Sequence, residues 1–164
     1  QLQDVGNTTT LAHYLDLLHG AGLVMGLQKY AGDRARQRSS SPKLQVLNNA
    51  LMTAIRGIPL AEEKKAGSRW GRLVESAVGA HLVNSLIGSN TEIFFWRDPK
   101  YEVDFVVKRG TSLYSLEVKS GRKREYAPGV SEFGRKFRVK KPLLIGEGGI
   151  ALERFLSKPA GDWL

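Results

Sequence analysis

The sequence predicts an α/β fold, because helical and strand-like patterns follow one another along the chain. The clearest helical pattern spans residues 69–87, where apolar residues recur every three or four positions and form one stripe. Residues 102–108 and 112–119 are rich in apolar and β-branched residues and are separated by a turn at Gly110, which predicts two adjacent strands. The chain has 164 residues, of which 41% are hydrophobic and 25% charged, and this is enough for a globular core.

The first sixty residues predict a small module of helices and strands. Threonines before Leu11 are good N-cap residues, and Gly20 and Gly22 end the first helix. A helix, a strand, a basic loop and another strand in this order resemble the later part of a winged-helix module, which we expect at residues 1–60. The predicted elements are a helix at 8–18, strands at 23–30 and 43–47, and a helix at 49–56.

The loop between these two predicted strands is strongly basic. It spans residues 31–42 and carries Arg34, Arg36 and Arg38 together with three serines. Such a loop can contact nucleic-acid phosphates as a wing does, or it can be a solvated turn. Both interpretations stay open, and the three arginines are our candidate nucleic-acid-binding residues.

A boundary between two units is predicted at residues 58–68, which contain glycine, proline and a Glu-Glu-Lys-Lys run. The second unit, residues 61–164, is expected to contain the long helix and most of the strands. Its predicted elements after the helix at 69–87 are strands at 92–96, 102–108 and 112–119, a helix at 129–138 and a buried strand at 142–146.

Composition excludes several kinds of site. The chain has no cysteine, so disulfides, thiol nucleophiles and zinc–thiolate sites are excluded. Its three histidines show no metal-ligand spacing. A metal would therefore be held by carboxylates, which favours Mg²⁺, Mn²⁺ or Ca²⁺ over Zn²⁺.

The charge balance favours a polyanionic partner. Lys and Arg outnumber Asp and Glu by 25 to 16, giving a net charge of +9. Nucleic acid is the first candidate, an acidic protein or a membrane the second, and a merely solvated basic surface is the alternative. No apolar run approaches membrane-spanning length and no signal peptide is visible, so we expect a cytoplasmic protein with no membrane partner. The chain begins at Gln1, and we expect a fragment or a processed product.

Alternation along the two strands around Gly110 assigns each residue to one face. In the first strand, one face is predicted to carry Val103, Phe105 and Val107, and the other Glu102, Asp104 and Val106. In the second strand, one face is predicted to carry Tyr114, Leu116 and Val118, and the other Ser115, Glu117 and Lys119.

Two acids of this hairpin are expected to face each other. If the loop is centred on Gly110 and Thr111, residues 104 and 117 lie directly opposite, because both are equally far from its centre. Asp104 and Glu117 would then repel each other without a compensating charge. A divalent cation would compensate, and Lys119 on the same face would lie beside the pair.

These residue types together suit phosphodiester hydrolysis. Carboxylates can hold Mg²⁺ while water and phosphate oxygens fill its other positions, and a lysine can orient the attacking water. Glu75 adds an acid from the preceding helix, where Gly71, Glu75 and Gly79 repeat every four residues and would let the helix lie close to the sheet. On these residues alone, a solvated strand face with an ordinary Glu–Lys pair is the competing interpretation. The catalytic candidates are Glu75, Asp104, Glu117 and Lys119, and the candidate metal ligands are Asp104, Glu117 and Glu75.

Five motifs follow one another along nearly the whole chain: TLAHYLDLL at 10–18, SPKL at 41–44, GRLVESAV at 71–78, YEVDFVV at 101–107 and SLEVKSG at 115–121. The last two motifs resemble those of the PD-(D/E)XK nuclease superfamily. More narrowly, the five motifs in this order resemble the C-terminal domain of prokaryotic AAA+ family ATPases, a family of unknown function. One departure is NNAL at 48–51, where that family often has an Asp-x-Gly-Leu turn.

The resemblance implies a mixed sheet flanked by helices, with Asp104 and Glu117 as metal ligands, Lys119 as the motif lysine and Glu75 as the helical acid. It also implies an upstream AAA+ ATPase module, with ATP bound only there, since no GxxxxGK[ST] loop occurs in these residues. Mg²⁺ or Mn²⁺ is the expected cofactor and nucleic acid the expected partner, with DNA favoured, and an oligomer is compatible with this assignment. The alternative is a catalytically inactive domain that binds nucleic acid or protein and regulates or oligomerises the ATPase.

Overall fold

The computed structural model describes residues 8–33, 40–121 and 128–164, which form a six-stranded sheet and its helices. The strands are β1 (Val24–Lys29), β2 (Lys43–Val46), β3 (Thr91–Asp98), β4 (Tyr101–Arg109), β5 (Ser112–Lys119) and β6 (Val139–Gly146). The helices are α1 (Thr8–Gly20), α2 (Asn49–Arg56), α3 (Leu60–Lys65), α4 (Gly67–Leu86), α5 (Pro128–Lys136) and α6 (Leu152–Leu156), followed by a 3₁₀ helix (Ala160–Trp163).

The sheet is mixed, with the strand order β2-β1-β3-β4-β5-β6. The pairs β1–β3 and β5–β6 are parallel, and the other neighbouring pairs are antiparallel. This confirms the predicted α/β fold with a mixed sheet and flanking helices. Because β1 pairs with β3, the first predicted unit shares its sheet with the second. The winged-helix assignment is therefore not confirmed, and the division at residue 60 stays a prediction.

Helix α4 lies close to the strands because two of its positions are glycine. A Cβ atom on Gly79 would lie 2.1 Å from Gln45 Oε1, and one on Gly71 would lie 3.3 Å from Ser120 Oγ. The prediction that these glycines let the helix approach the sheet is confirmed. Glu75 lies between them on the same side of the helix, so it is carried toward the strands.

Two clusters of buried apolar side chains form the core. The first packs against α4 and includes Val78, Leu82, Phe105, Val107 and Leu116. The second packs against α5 and includes Trp96, Val103, Val106 and Phe133. Because Val103 and Phe105 belong to different clusters, the prediction that they share a face is wrong.

A β-bulge in β4 explains this difference. Phe94 pairs with Val106, but Trp96 pairs with Val103, so residues 104–105 together oppose a single residue of β3. An extra residue of this kind interrupts the alternation of side chains and bends the strand locally. The bulge includes Asp104, and it re-aims the side chain of that acid relative to the regular strand.

A short helix occupies the predicted boundary. It is α3, which begins after Pro59. Glu63 on this helix is only 2% exposed, and it pairs with Arg56 Nη1 at 3.4 Å and with Arg69 Nε at 3.5 Å. These ion pairs tie α3 to both neighbouring helices, so the segment is a packed connection and not an extended linker.

The C-terminal region contains two elements for which the sequence pattern gives no prediction, α6 and the 3₁₀ helix. Phe155 and Ala160 from these elements are fully buried in the first cluster, so they extend the core. Among the helices of the described residues, none has the length and apolar character needed to cross a membrane.

Candidate functional site

The β4–β5 hairpin has the predicted register. Arg109 pairs with Ser112 across a two-residue turn, and the pairing continues to Phe105 and Leu116. Gly110 has a φ of +59°, whereas no non-glycine residue in the described chain has a positive φ. This combination matches a type II′ turn. The next residue on each strand is the predicted acid, and the described pairing stops just before it.

The Asp104 carboxylate lies where this ladder ends. Its Oδ2 accepts a hydrogen bond from the backbone N–H of Val118 at 2.8 Å. Burial, Glu117 and Glu75 raise the pKa of Asp104 to about 7, while the hydrogen bond from Val118 and the charge of Lys43 act in the opposite direction. The other two acids are thus close enough to act on Asp104, and the three predicted acids converge on one region.

Glu117 has one satisfied and one unsatisfied oxygen. Lys119 Nζ donates a hydrogen bond to Glu117 Oε1, and the Glu117 side chain is 12% exposed. Glu117 Oε2 is buried and has no hydrogen-bond partner in the described part of the chain. Leaving a buried carboxylate oxygen without a partner is costly, so this atom is suited to receive a cation or a donor from a ligand.

Glu75 is paired with a lysine that is not among the predicted site residues. Lys43, the first residue of β2, donates from Nζ to Glu75 Oε1. Its Nζ also lies 5.1 Å from the centre of the Phe105 ring, within the range of a cation–π contact. The side chains of Lys43 and Glu75 are 23% and 28% exposed, so a ligand from solvent can reach both. The SPKL motif at 41–44 is the sequence signal that could have identified Lys43.

The three acids are not arranged as a ready-formed metal site. Within residues 8–33, 40–121 and 128–164, no group of three Asp, Glu, His or Cys side chains is placed to hold a metal ion. Lys43 and Lys119 each contact one acid instead. The donor set nevertheless fits a divalent cation, because Glu117 Oε2 lacks a partner and the crowded Asp104 has a raised pKa. A cation would supply the partner that Glu117 Oε2 lacks, and it would favour the charged form of Asp104.

A cleft of about 370 Å³ opens beside Lys119. Its walls include Trp70 at the start of α4 and the glycine-rich turn at residues 146–149. This turn is held against the end of β5, since the Glu147 N–H donates to the Lys119 carbonyl oxygen at 3.0 Å. Gly146 has a φ of +95°, and a Cβ there would lie 2.0 Å from the same carbonyl oxygen, so the position requires glycine. Lys119 and Ser120, at the end of β5, line another side of this cleft.

The structure does not place the predicted basic wing. Arg34, Arg36 and Arg38 lie outside the described residues. The described residues that flank them, 31–33 and Ser40, line a second cleft of about 740 Å³ together with side chains of β3 and α5. A nucleic-acid-binding role for the three arginines stays a prediction.

Fold and site together define an α/β domain with a carboxylate–lysine cluster where two central strands separate. Residues 70–154 match the family model described as domain of unknown function (DUF4143), and the chain belongs to this family. The domain is commonly found in proteins associated with AAA ATPases. The matched region contains all four predicted catalytic residues, but it does not include Lys43. No curated protein and no solved structure gives a significant match.

Proposed function

We propose that this domain is a nuclease-like module of the PD-(D/E)XK kind that binds Mg²⁺ or Mn²⁺ and nucleic acid, with DNA as the preferred partner. The observation that carries the proposal is the convergence of Glu75, Asp104 and Glu117 beside Lys119, with Glu117 Oε2 left without a partner. The mixed sheet and the close approach of α4 support it, because they bring the four motif residues to one region.

Phosphodiester hydrolysis is the reaction that these groups fit. A bound metal would lower the pKa of a water molecule and offset negative charge on the phosphate. Asp104 and Glu117 would hold the metal from the hairpin strands, and Glu75 would hold it from α4. Lys119 would donate hydrogen bonds from its ammonium group to the attacking water or to a phosphate oxygen, since it lies beside Glu117 and lines the cleft.

The charge and motif order support the proposed partners. A net charge of +9 favours binding to a polyanion at low and moderate salt. The motifs support a role beside an upstream AAA+ ATPase module, and ATP would bind in that module because these residues contain no phosphate-binding loop motif. We place this function in the cytoplasm.

A combined binding and cleavage assay tests the proposal. The protein is incubated with labelled duplex DNA, single-stranded DNA or RNA in the presence of EDTA, Mg²⁺ or Mn²⁺. We expect binding and cleavage that depend on the metal, and Lys119→Ala should lower cleavage by about 100-fold or more. Lys108→Ala is the matched control, because Lys108 pairs with Glu92 at the opposite end of β4, and it should retain cleavage.

A second function, recognition or oligomerisation without catalysis, is favoured by one observation. Glu75 and Glu117 already have lysine partners, so the cluster does not require a metal to neutralise these two acids. A domain of this kind would regulate an ATPase by binding nucleic acid or protein. It predicts nucleic-acid binding that weakens as salt rises, is indifferent to metal and gives no cleavage in the same assay.

A further inference from the structure

Lys43 reaches the acid cluster from a strand outside the hairpin. β1 and β3 separate β2 from β4 in the sheet, yet Lys43 Nζ lies over the Phe105 ring and contacts Glu75. The nearby Gln45 also reaches α4, where its Nε2 donates to Ser76 O at 2.9 Å. Lys43 and Gln45 of the edge strand thus extend over the sheet face that carries α4, and Lys43 places a second ammonium group beside the acids.

Without a ligand, Lys43 acts as a counter-ion to the acid cluster. Three carboxylates, on Glu75, Asp104 and Glu117, face the two ammonium groups of Lys43 and Lys119. Each lysine pairs with one outer acid, whereas Asp104 accepts a backbone N–H. With all five groups ionised, three negative and two positive charges leave a net charge of −1.

A divalent cation held by these acids would change the net charge of the cluster from −1 to +1. The carboxylate oxygens would turn toward the cation, and the ammonium group of Lys43 would lose part of its attraction to Glu75. Because the Lys43 side chain is 23% exposed, its ammonium group can reach an anion that approaches from solvent. On a nucleic acid, the groups that match a point-like ammonium donor are the phosphate oxygens.

We propose that Lys43 is a second phosphate-binding lysine of this site: it holds Glu75 when metal is absent and holds a nucleic-acid phosphate when metal is bound. The inference rests on the proposed function. Lys43 and the metal compete for Glu75, whereas bound metal makes Lys43 available to the nucleic acid. Lys43 pairs with Glu75 and Lys119 pairs with Glu117, so the two ammonium groups lie at different acids of the cluster.

Two binding measurements on the whole chain test this role. Mn²⁺ is titrated by calorimetry, and a fluorescein-labelled DNA duplex of mixed sequence is titrated by anisotropy in saturating Ca²⁺. Lys43→Gln should bind Mn²⁺ up to about fivefold more tightly, which corresponds to an ion pair of about 1 kcal/mol. It should bind the duplex about tenfold more weakly, and the slope of log K against log salt should fall by about 1.

Two further variants serve as controls. Lys43→Arg keeps the positive charge and should retain most of the duplex affinity. Lys108→Gln removes a similarly exposed lysine that pairs with Glu92 at 2.8 Å, and it should change neither Mn²⁺ affinity nor the metal dependence of duplex binding. If Lys43→Gln does not fold, Lys43→Gln combined with Glu75→Gln is compared with Glu75→Gln alone, and the same tenfold difference in duplex affinity is expected.

Two failures are distinguishable. Duplex affinity and salt slope that stay at wild-type values in Lys43→Gln, with Ca²⁺ saturating, would overturn the phosphate-binding role and leave Lys43 as a counter-ion for Glu75. Absence of Mn²⁺ binding by the wild-type protein would overturn the proposed function itself, and the metal-dependent release of Lys43 with it.

Discussion

The carboxylate of Asp104 accepts a hydrogen bond from the backbone N–H of Val118 at 2.8 Å, at the point where the β4–β5 ladder ends. The Asp104 side chain thus accepts the kind of hydrogen bond that a backbone carbonyl accepts elsewhere in the ladder. The β-bulge at residues 104–105 contributes to this placement. As a result, the acid is fixed at one oxygen while Glu75 and Glu117 act on its charge, which is the arrangement that a cation would relieve.

Asp104→Asn is expected to stabilise the metal-free protein at alkaline pH. Burial, Glu117 and Glu75 raise the pKa of Asp104 from 3.8 to about 7, so between these values the folded protein retains a proton that the unfolded chain has released. The contribution of Asp104 to the free energy of unfolding is therefore fully present below about pH 4, and it is lost as the pH rises through 7. Asparagine keeps an acceptor for Val118 and carries no charge.

Urea denaturation at pH 5 and pH 8 without metal measures this effect. One unit of pKa difference corresponds to about 1.36 kcal/mol, and about two units lie between pH 5 and the raised pKa. The free energy of unfolding of the Asn variant, relative to wild type, should therefore be about 2–3 kcal/mol higher at pH 8 than at pH 5. An equal difference between variant and wild type at both pH values would show that Asp104 ionises normally in the folded state.

Gly79→Ala is expected to destabilise the fold by about 2 kcal/mol. The added Cβ would lie 2.1 Å from Gln45 Oε1 and 2.8 Å from Phe105 Cε1. Gln45 cannot turn away freely, because it is buried and donates to Ser76 O. Gly134→Ala is the control, since no atom lies within 4 Å of its Cβ position and alanine favours a helix. Urea midpoints should fall for Gly79→Ala and stay level or rise for Gly134→Ala.

Glu63→Gln is expected to lower the free energy of unfolding by about 1–3 kcal/mol. The neutral amide would leave Arg56 and Arg69 without their buried counter-charge. Both arginines are about 40% exposed, so solvent screening should keep the loss toward the lower part of that range. Thermal denaturation of Glu63→Gln is compared with that of Glu62→Gln, an exposed neighbour on the same helix. Similar melting temperatures for the two variants would argue against a structural role for the ion pairs.

The hairpin that carries the site is predictable from the sequence. A two-residue loop with Gly110 in its first position fixes which residues pair, so the approach of Asp104 and Glu117 follows from counting. The close packing of α4 is predictable for a similar reason, since residues 71 and 79 lie on the same face of a helix as Glu75. In both cases the prediction depends only on the spacing of residues that are close in the sequence.

The remaining features depend on contacts between distant segments. The bulge at residues 104–105 leaves no periodic signal in β4, and for this reason alternation assigns Val103 to the wrong face. Lys43 of the edge strand contacts Glu75 of α4, and this contact between distant segments cannot be read from the pattern of residues 43–46. The pairing of β1 with β3 is likewise a long-range contact, and the first unit alone does not indicate it.

Calorimetric titration of the metal-free protein with Mn²⁺ shows whether the acid cluster binds a divalent cation. Wild type, Asp104→Ala and Glu92→Ala are compared, because Glu92 is a strand-borne acid paired with Lys108 at the far end of the hairpin. If the acid cluster is a cation site, we expect saturable binding to wild type and to Glu92→Ala, and loss of that binding in Asp104→Ala. Equal binding in all three proteins, or no binding to wild type, would contradict a cation site in the acid cluster.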